Sequence, residues 1–164
     1  MEFNKTQIDQ LTEDVSYLQD EVEALKYVIH SVPFEEKPAG RESILELVAM
    51  IDHAQKVFYR PFVESVAGFA KPEDFIDDEF RKSFSLEMDK IETVDNLLDK
   101  IIKHRAALLS VLQKMNIIDW NRKGMVKGRS KTIYIVITEM VEFERNQLKM
   151  VAERVISLER DRQF

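Results

Sequence analysis

The sequence contains no cysteine. That absence excludes disulfides, thiolate nucleophiles and zinc–thiolate sites. Glycine and proline are scarce, four of each in 164 residues, which argues against a loop-rich or all-β fold. No long uncharged apolar run occurs. The most apolar stretch, Val126 to Val141, is interrupted by charges well short of membrane-spanning length. No N-terminal segment joins a basic start to an apolar run, so the expected compartment is the cytoplasm, with no membrane partner. Basic residues are the minority, 24 against 30 acidic, for a net charge of −6. Nucleic acid is therefore an unlikely partner, because phosphate contacts need concentrated positive charge.

What is present is amphipathic helix. The composition is 45% hydrophobic and 33% charged, in a chain long enough for one core, so residues 1–164 are expected to form a single domain. From Asn4 to His30, the residues Ile8, Leu11, Val15, Leu18, Val22, Leu25 and Ile29 recur at three- and four-residue steps, one apolar stripe on a helix. Asn4 is a candidate cap, with Thr6 as rival. Pro33, Pro38 and Gly40 break this helix. A second helix starts near Ser43 and extends toward Ala67, with Ile44, Leu47, Val48, Ile51, Gln55, Phe58 and Phe62 on one face. Pro61 should kink or end it.

Residues 69 to 84 are irregular and acidic, with Glu73, Asp74, Asp77, Asp78 and Glu79. Phe75, Ile76, Phe80 and Phe84 punctuate the stretch, which predicts a packed crossover rather than disorder. A third helix begins between Ser85 and Thr93 and ends near Met115, with Val94, Leu97, Leu98, Ile101, Leu108, Leu112 and Met115 as its stripe. Residues 116–130 read as a connection. The fourth helix runs from about Lys131, capped by Ser130, to about Leu158, with Ile133, Ile137, Met140, Phe143, Gln147, Val151 and Val155 near one face. The fold class is all-α: a four-helix bundle with a long crossover between helices two and three.

The run Ser43-Ile44-Leu45-Glu46-Leu47-Val48-Ala49-Met50-Ile51 resembles the second-helix signature of the DinB-like (YfiT-like) four-helix-bundle family. The turn with Pro33 and Pro38 is similar to that family's, as are Thr132-Ile133-Tyr134 and Phe143-Glu144-Arg145-Asn146-Gln147-Leu148 in the fourth helix. The resemblance covers essentially the whole chain and implies a DinB-like topology. It also implies a divalent metal between helices two and four, held by one histidine from the former and two, four residues apart, from the latter. Those positions fall on Met50, Phe143 and Gln147. A thioether, a phenyl ring and a lone amide make a poor ligand set. The resemblance therefore implies a metal-independent protein, with no cofactor, that binds a small molecule or a protein partner. Met50, Gln55, Phe143 and Gln147 line the candidate pocket. The alternative is a metal-dependent transferase or hydrolase with the ligands His53, Glu142 and Asn146.

Helical phase weighs against His53 as a ligand, since it points about 160° from Ile51 at 100° per residue. His104 sits at the edge of the third stripe, and His30 in the last turn of helix one, beside the negative end of the helix dipole. Glu139, Glu142 and Glu144 share their stretch with Arg145 and Lys149 and read as solvated charge. Asp52 has Lys56 one turn on. Gln55 and Gln147 lie on apolar faces; burying their amides without partners costs about 1–3 kcal/mol each, so they should bond each other, water or a ligand.

The segment from Trp120 to Lys131 is basic (Arg122, Lys123, Lys127, Arg129, Lys131) but lacks phosphate-loop spacing. It reads as a solvated loop with Trp120 packed at the bundle end. Ser43, Ser85 and Ser130 have helix-start explanations and none is an evident nucleophile. Leu109, Val111, Val141 and Leu148 lie off the main stripes, which predicts an extra apolar face and a homodimer.

Overall fold

A computed structural model describes residues 2–68, 74–76, 80, 83–84 and 93–162. Glu73, Asp77, Asp78, Glu79 and Ser85 lie outside the described residues.

Helix α1 spans Lys5–Val28. Asn4 caps it: its side chain accepts from the Gln7 amide while the Gln7 side chain accepts from the Asn4 amide, both at 2.9 Å. A 3₁₀ turn, Ile29–Ser31, tightens its end before Pro33. Helix α2, Ile44–Ala54, starts with the same reciprocal device between Ser43 and Glu46. Its regular α-helical hydrogen bonding ends ahead of Pro61, as expected. The chain widens into a π-helical turn, Gln55–Tyr59, and re-enters α3, Arg60–Ala67. Proline at position 61 would drive its ring against the carbonyl four residues back. The wide turn carries the register past that point, and the Arg60 amide donates to the Gln55 carbonyl, five residues back. Helix α4, Val94–Lys114, is capped by the Thr93 hydroxyl.

The connection read as a loop has its own structure. A short helix α5, Ile117–Trp120, leads into β2, Lys123–Val126, and β3, Arg129–Thr132, which form an antiparallel hairpin. Asp74–Phe75 adds as a parallel strand, β1, on β2. Lys127 and Gly128 both have positive φ, 50° and 72°, the two left-handed residues that a two-residue hairpin turn matching strand twist requires. Ser130 therefore lies in a strand and caps nothing. Thr132 does so instead: its hydroxyl accepts from the Ile135 amide at 3.1 Å, at the start of α6, Ile133–Arg162. Trp120 is buried here, as expected, edge-on to Tyr134, which stacks on Phe3.

The long helices run up, down, down, up. Helix α1 lies antiparallel to α4, since Lys26 pairs with Asp99 and His30 with Asp95. Helix α2 lies antiparallel to α6, with Glu42 against Arg154 and Leu47 against Gln147. Helices α1 and α6 run parallel, with Phe3 beside Tyr134 and Asp14 beside Arg145. Each of α1 and α2 packs on both α4 and α6, so α4 and α6 face each other across the bundle. The crossover contributes buried Phe80, Phe75 against the core, and Phe84 beside His53; Ile76 stays exposed.

The residues that suggested a second copy are used within the chain. Leu109 and Val141 are buried, and Val111 and Leu148 pack half-buried on the core. These four residues therefore do not form the extra exposed apolar face. Among the described residues, no helix is long and apolar enough to cross a membrane.

Gly124 is the hairpin's point of closest approach. A Cβ there would meet Val66 Cγ2 at 2.6 Å and the Phe62 ring at 2.7 Å. Gly124→Ala should destabilise the protein by about 1–3 kcal/mol through overpacking, read as a lower urea midpoint at unchanged slope.

Candidate functional site: a polar layer across the bundle

The core divides into two apolar clusters. One holds Val15, Phe58, Leu108 and Met140; the other holds Leu18, Ile51, Ile101 and Val151. On three of the four long helical segments, the boundary between clusters is occupied by polar residues. These are Asp52 and Gln55 from α2 and the π-turn, Arg105 from α4, and Glu144 and Gln147 from α6, all buried. Each stands where the helical repeat places a core residue, so folding of the apolar stripes necessarily carries these groups inside.

Arg105 is 0% exposed and Glu144 4%. Arg105 Nη2 donates to Glu144 Oε2 across the bundle. Burial raises the Glu144 carboxyl above the ordinary carboxylate range, and the Arg105 guanidinium opposes that shift. Gln147 Nε2 donates to the Leu47 carbonyl at 3.1 Å, tying α6 to α2. Asp52 Oδ2 pairs with Lys56 at 2.7 Å. Gln55 is 1% exposed, and among the described residues neither atom of its amide has a hydrogen-bond partner. Asp52 Oδ1 and Arg105 Nε and Nη1 are likewise buried without partners. The layer offers donors and acceptors but no hydroxyl or thiol nucleophile. Its chemistry is hydrogen bonding and charge pairing.

Beside the layer, polar side chains bridge α3 and α4. Arg60 Nη1 donates to His104 Nδ1 at 3.0 Å while its Nε donates to Glu64 at 2.7 Å. A guanidinium can donate to His104 Nδ1 only if that nitrogen is unprotonated, which fixes the neutral Nε2–H tautomer. Burial lowers the pKa of both His104 and His53; Asp52 opposes the shift and Lys56 reinforces it.

The positions that the family resemblance assigns to metal ligands do not fit a metal. Phe143 is buried against Tyr59 and Phe80, Met50 packs half-buried on the same cluster, and the Gln147 amide is committed to the α2 backbone. The alternative ligands are dispersed: Glu142 and Asn146 are exposed, and His53 is half-buried against Ser83 and Phe84. Among the described residues, no group of three or more His, Cys, Asp or Glu side chains comes together to hold a metal.

One expectation is corrected: Glu144 is not solvated charge but half of a buried ion pair. Of the two glutamines, Gln147 makes its polar contact with the α2 backbone. Arg105 was missed. Its signal was phase: it falls four residues after Ile101 and three before Leu108, in the middle of an apolar stripe. In the basic segment, Asp74 accepts from the Gly128 amide at 2.9 Å and Lys131 pairs with Glu139, so these residues belong to the hairpin's own structure.

No family model matches the sequence, and no curated protein matches it. Among solved structures, the fold is similar to that of YfiT from Bacillus subtilis, a probable metal-dependent hydrolase with an unusual four-helix bundle topology. The TM-score is 0.74 at 12% identity, over 93% of this chain and 87% of that one. At that identity the likeness establishes the fold. The chain has the DinB/YfiT-like all-α bundle topology, with the small sheet appended at one end.

Two predictions follow from this geometry. Arg105→Met alone should cost about 3–5 kcal/mol by leaving Glu144 buried and unpaired, whereas Arg105→Met with Glu144→Leu should recover most of that loss; urea unfolding of the three proteins measures the difference. Because their folded pKa values are lowered, His53 and His104 bind fewer protons in the native than in the unfolded state. Stability should therefore fall as pH drops through ~6.5, and His104→Gln should flatten that slope in thermal melts.

Proposed function

We propose that this protein is a metal-independent binding module of the DinB/YfiT-like fold, whose ligand is a small polar molecule held in the layer around Gln55. The observation that carries this reading is the Gln55 amide, buried and, among the described residues, without a protein partner at the start of a π-helical turn. An apolar side chain of the same shape would avoid the desolvation penalty, and π-turns recur at functional sites. Met50, Phe143 and Gln147 then form the apolar wall and the tie to α2, in place of a ligand set for metal. The whole chain is taken as one domain, since both apolar clusters draw on all four long helical segments. The reading needs no second copy.

The rival reading, a metal-dependent hydrolase or transferase, draws on what YfiT is described to be. It would have to recruit His53, Glu142 and Asn146. Metal analysis of natively purified, dialysed protein separates the two. We expect no stoichiometric divalent metal; retained zinc, nickel or manganese that Glu142→Ala removes would establish the rival. For the layer itself, Gln55→Met should stabilise the protein by about 1–3 kcal/mol. A destabilised Gln55→Met would mean that the amide already serves the fold, and would sink the proposal.

A further inference from the structure

The buried side-chain nitrogen and oxygen atoms without partners among the described residues are Asp52 Oδ1, Gln55 Oε1 and Nε2, and Arg105 Nε and Nη1. They belong to three residues of one layer, contributed by two neighbouring helices. Asp52, in the last turn of α2, and Gln55, at the head of the π-turn, are three residues apart, hence adjacent on one helical face. Asp52 Oδ1 and Gln55 Oε1 only accept, while Gln55 Nε2 and the two Arg105 nitrogens only donate. Satisfying all of them takes a molecule with both kinds of group.

The layer's charges are already balanced. Arg105 faces Glu144, and Asp52 faces Lys56. A ligand carrying an ionised group would enter a desolvated space with no counter-charge left for it, and that cost selects strongly against ions. The apolar clusters above and below exclude a large polar body. Along the neighbouring seam, Lys56 reaches Asp52 and Arg60 reaches His104 through long polar side chains, which can move by rotamer change without repacking the core.

We propose that the layer binds a small molecule with no ionised group that presents N–H donors and a carbonyl acceptor on neighbouring atoms, the chemistry of a primary amide. The donor end meets Asp52 Oδ1 and Gln55 Oε1; the acceptor end meets Gln55 Nε2 and the Arg105 nitrogens. This assignment rests on the ligand-binding reading above and adds the exclusion of ionised groups. Arg105 serves in it as a positioning and hydrogen-bonding group whose charge stays with Glu144.

The test uses the full-length ¹⁵N-labelled protein. The Gln55 side-chain amide signals are assigned by their loss in Gln55→Met. They are then followed while acetamide, acetate and acetamidinium are titrated in, three probes of nearly one shape with charges of 0, −1 and +1, and separately glycine. We expect acetamide to shift the Gln55 signals saturably, with acetate, acetamidinium and glycine at least about tenfold weaker, equivalent to about 1.4 kcal/mol. Glycine binding as tightly as acetamide would overturn the exclusion of ionised groups. Equal or tighter binding of either ion overturns it too, while leaving the ligand-binding reading intact. If no probe moves the Gln55 signals, and they show cross-relaxation to a long-lived internal water, the layer is a hydration site and both readings fall.

Discussion

The ion pair between Arg105 and Glu144 joins helices that face each other across the bundle rather than neighbours. Neighbouring helices can slide along an apolar seam by one turn, about 5.4 Å, and still bury leucine against leucine. A diagonal pair forbids that slide. Either helix displaced by a turn would leave a guanidinium or a carboxylate alone in the core, at a cost of about 3–5 kcal/mol. The pair adds little net stability, because both ions were first taken out of water. What it supplies is a single allowed height of α4 against α6. The bond from Gln147 to the Leu47 carbonyl does the same between α6 and α2.

Much of the arrangement follows from that constraint. With α4 and α6 fixed, the apolar stripes separate into a cluster on each side of the pair, and α2 must pass the layer where its own stripe is interrupted at Asp52 and Gln55. At the same level, Phe143 fills the seam between α2 and α6 with help from Tyr59 and Phe80. Of the three positions that the family resemblance assigns to metal ligands, two hold an aromatic ring and a half-buried thioether, and only Gln147 belongs to the polar layer.

The helices and their order were legible in the sequence because their signals are local. Asn4 and Ser43 each precede a residue that completes a capping box, and the three- and four-residue apolar repeat of α1 runs unbroken from Ile8 to Ile29. The hairpin was not legible: its strands are four residues long, too short for an alternating pattern to stand out. Only the turn at Lys127-Gly128 hinted at it, among cations that read as loop. The π-turn was half legible, since Pro61 announced a disturbance that the chain absorbs upstream. The site divided in the same way. Gln55 and Gln147 stand out as uncharged polar residues on apolar faces. Arg105 and Glu144 hide, because a charge on an amphipathic helix is ordinarily solvated and only its phase gives it away. Their partnership, 39 residues apart in sequence, exists only in the folded chain.

Registry and ligand binding make different demands on the layer, and its residues divide accordingly. Registry needs groups that are costly when misplaced and satisfied when in place. Glu144 and Gln147 meet that description, bonded to Arg105 and to the α2 backbone. Gln55 does not. Its amide would be no worse off after a slip, because among the described residues it bonds nothing in the correct register, so specificity of folding gives no account of it. The same holds for Asp52 Oδ1, since the ion pair with Lys56 uses only the other oxygen. A buried group that neither stabilises the fold nor fixes its register departs from the consistency that folding otherwise imposes on a sequence, and such departures concentrate where a protein meets something outside itself. In this bundle the departure lies in the layer at the head of the π-turn.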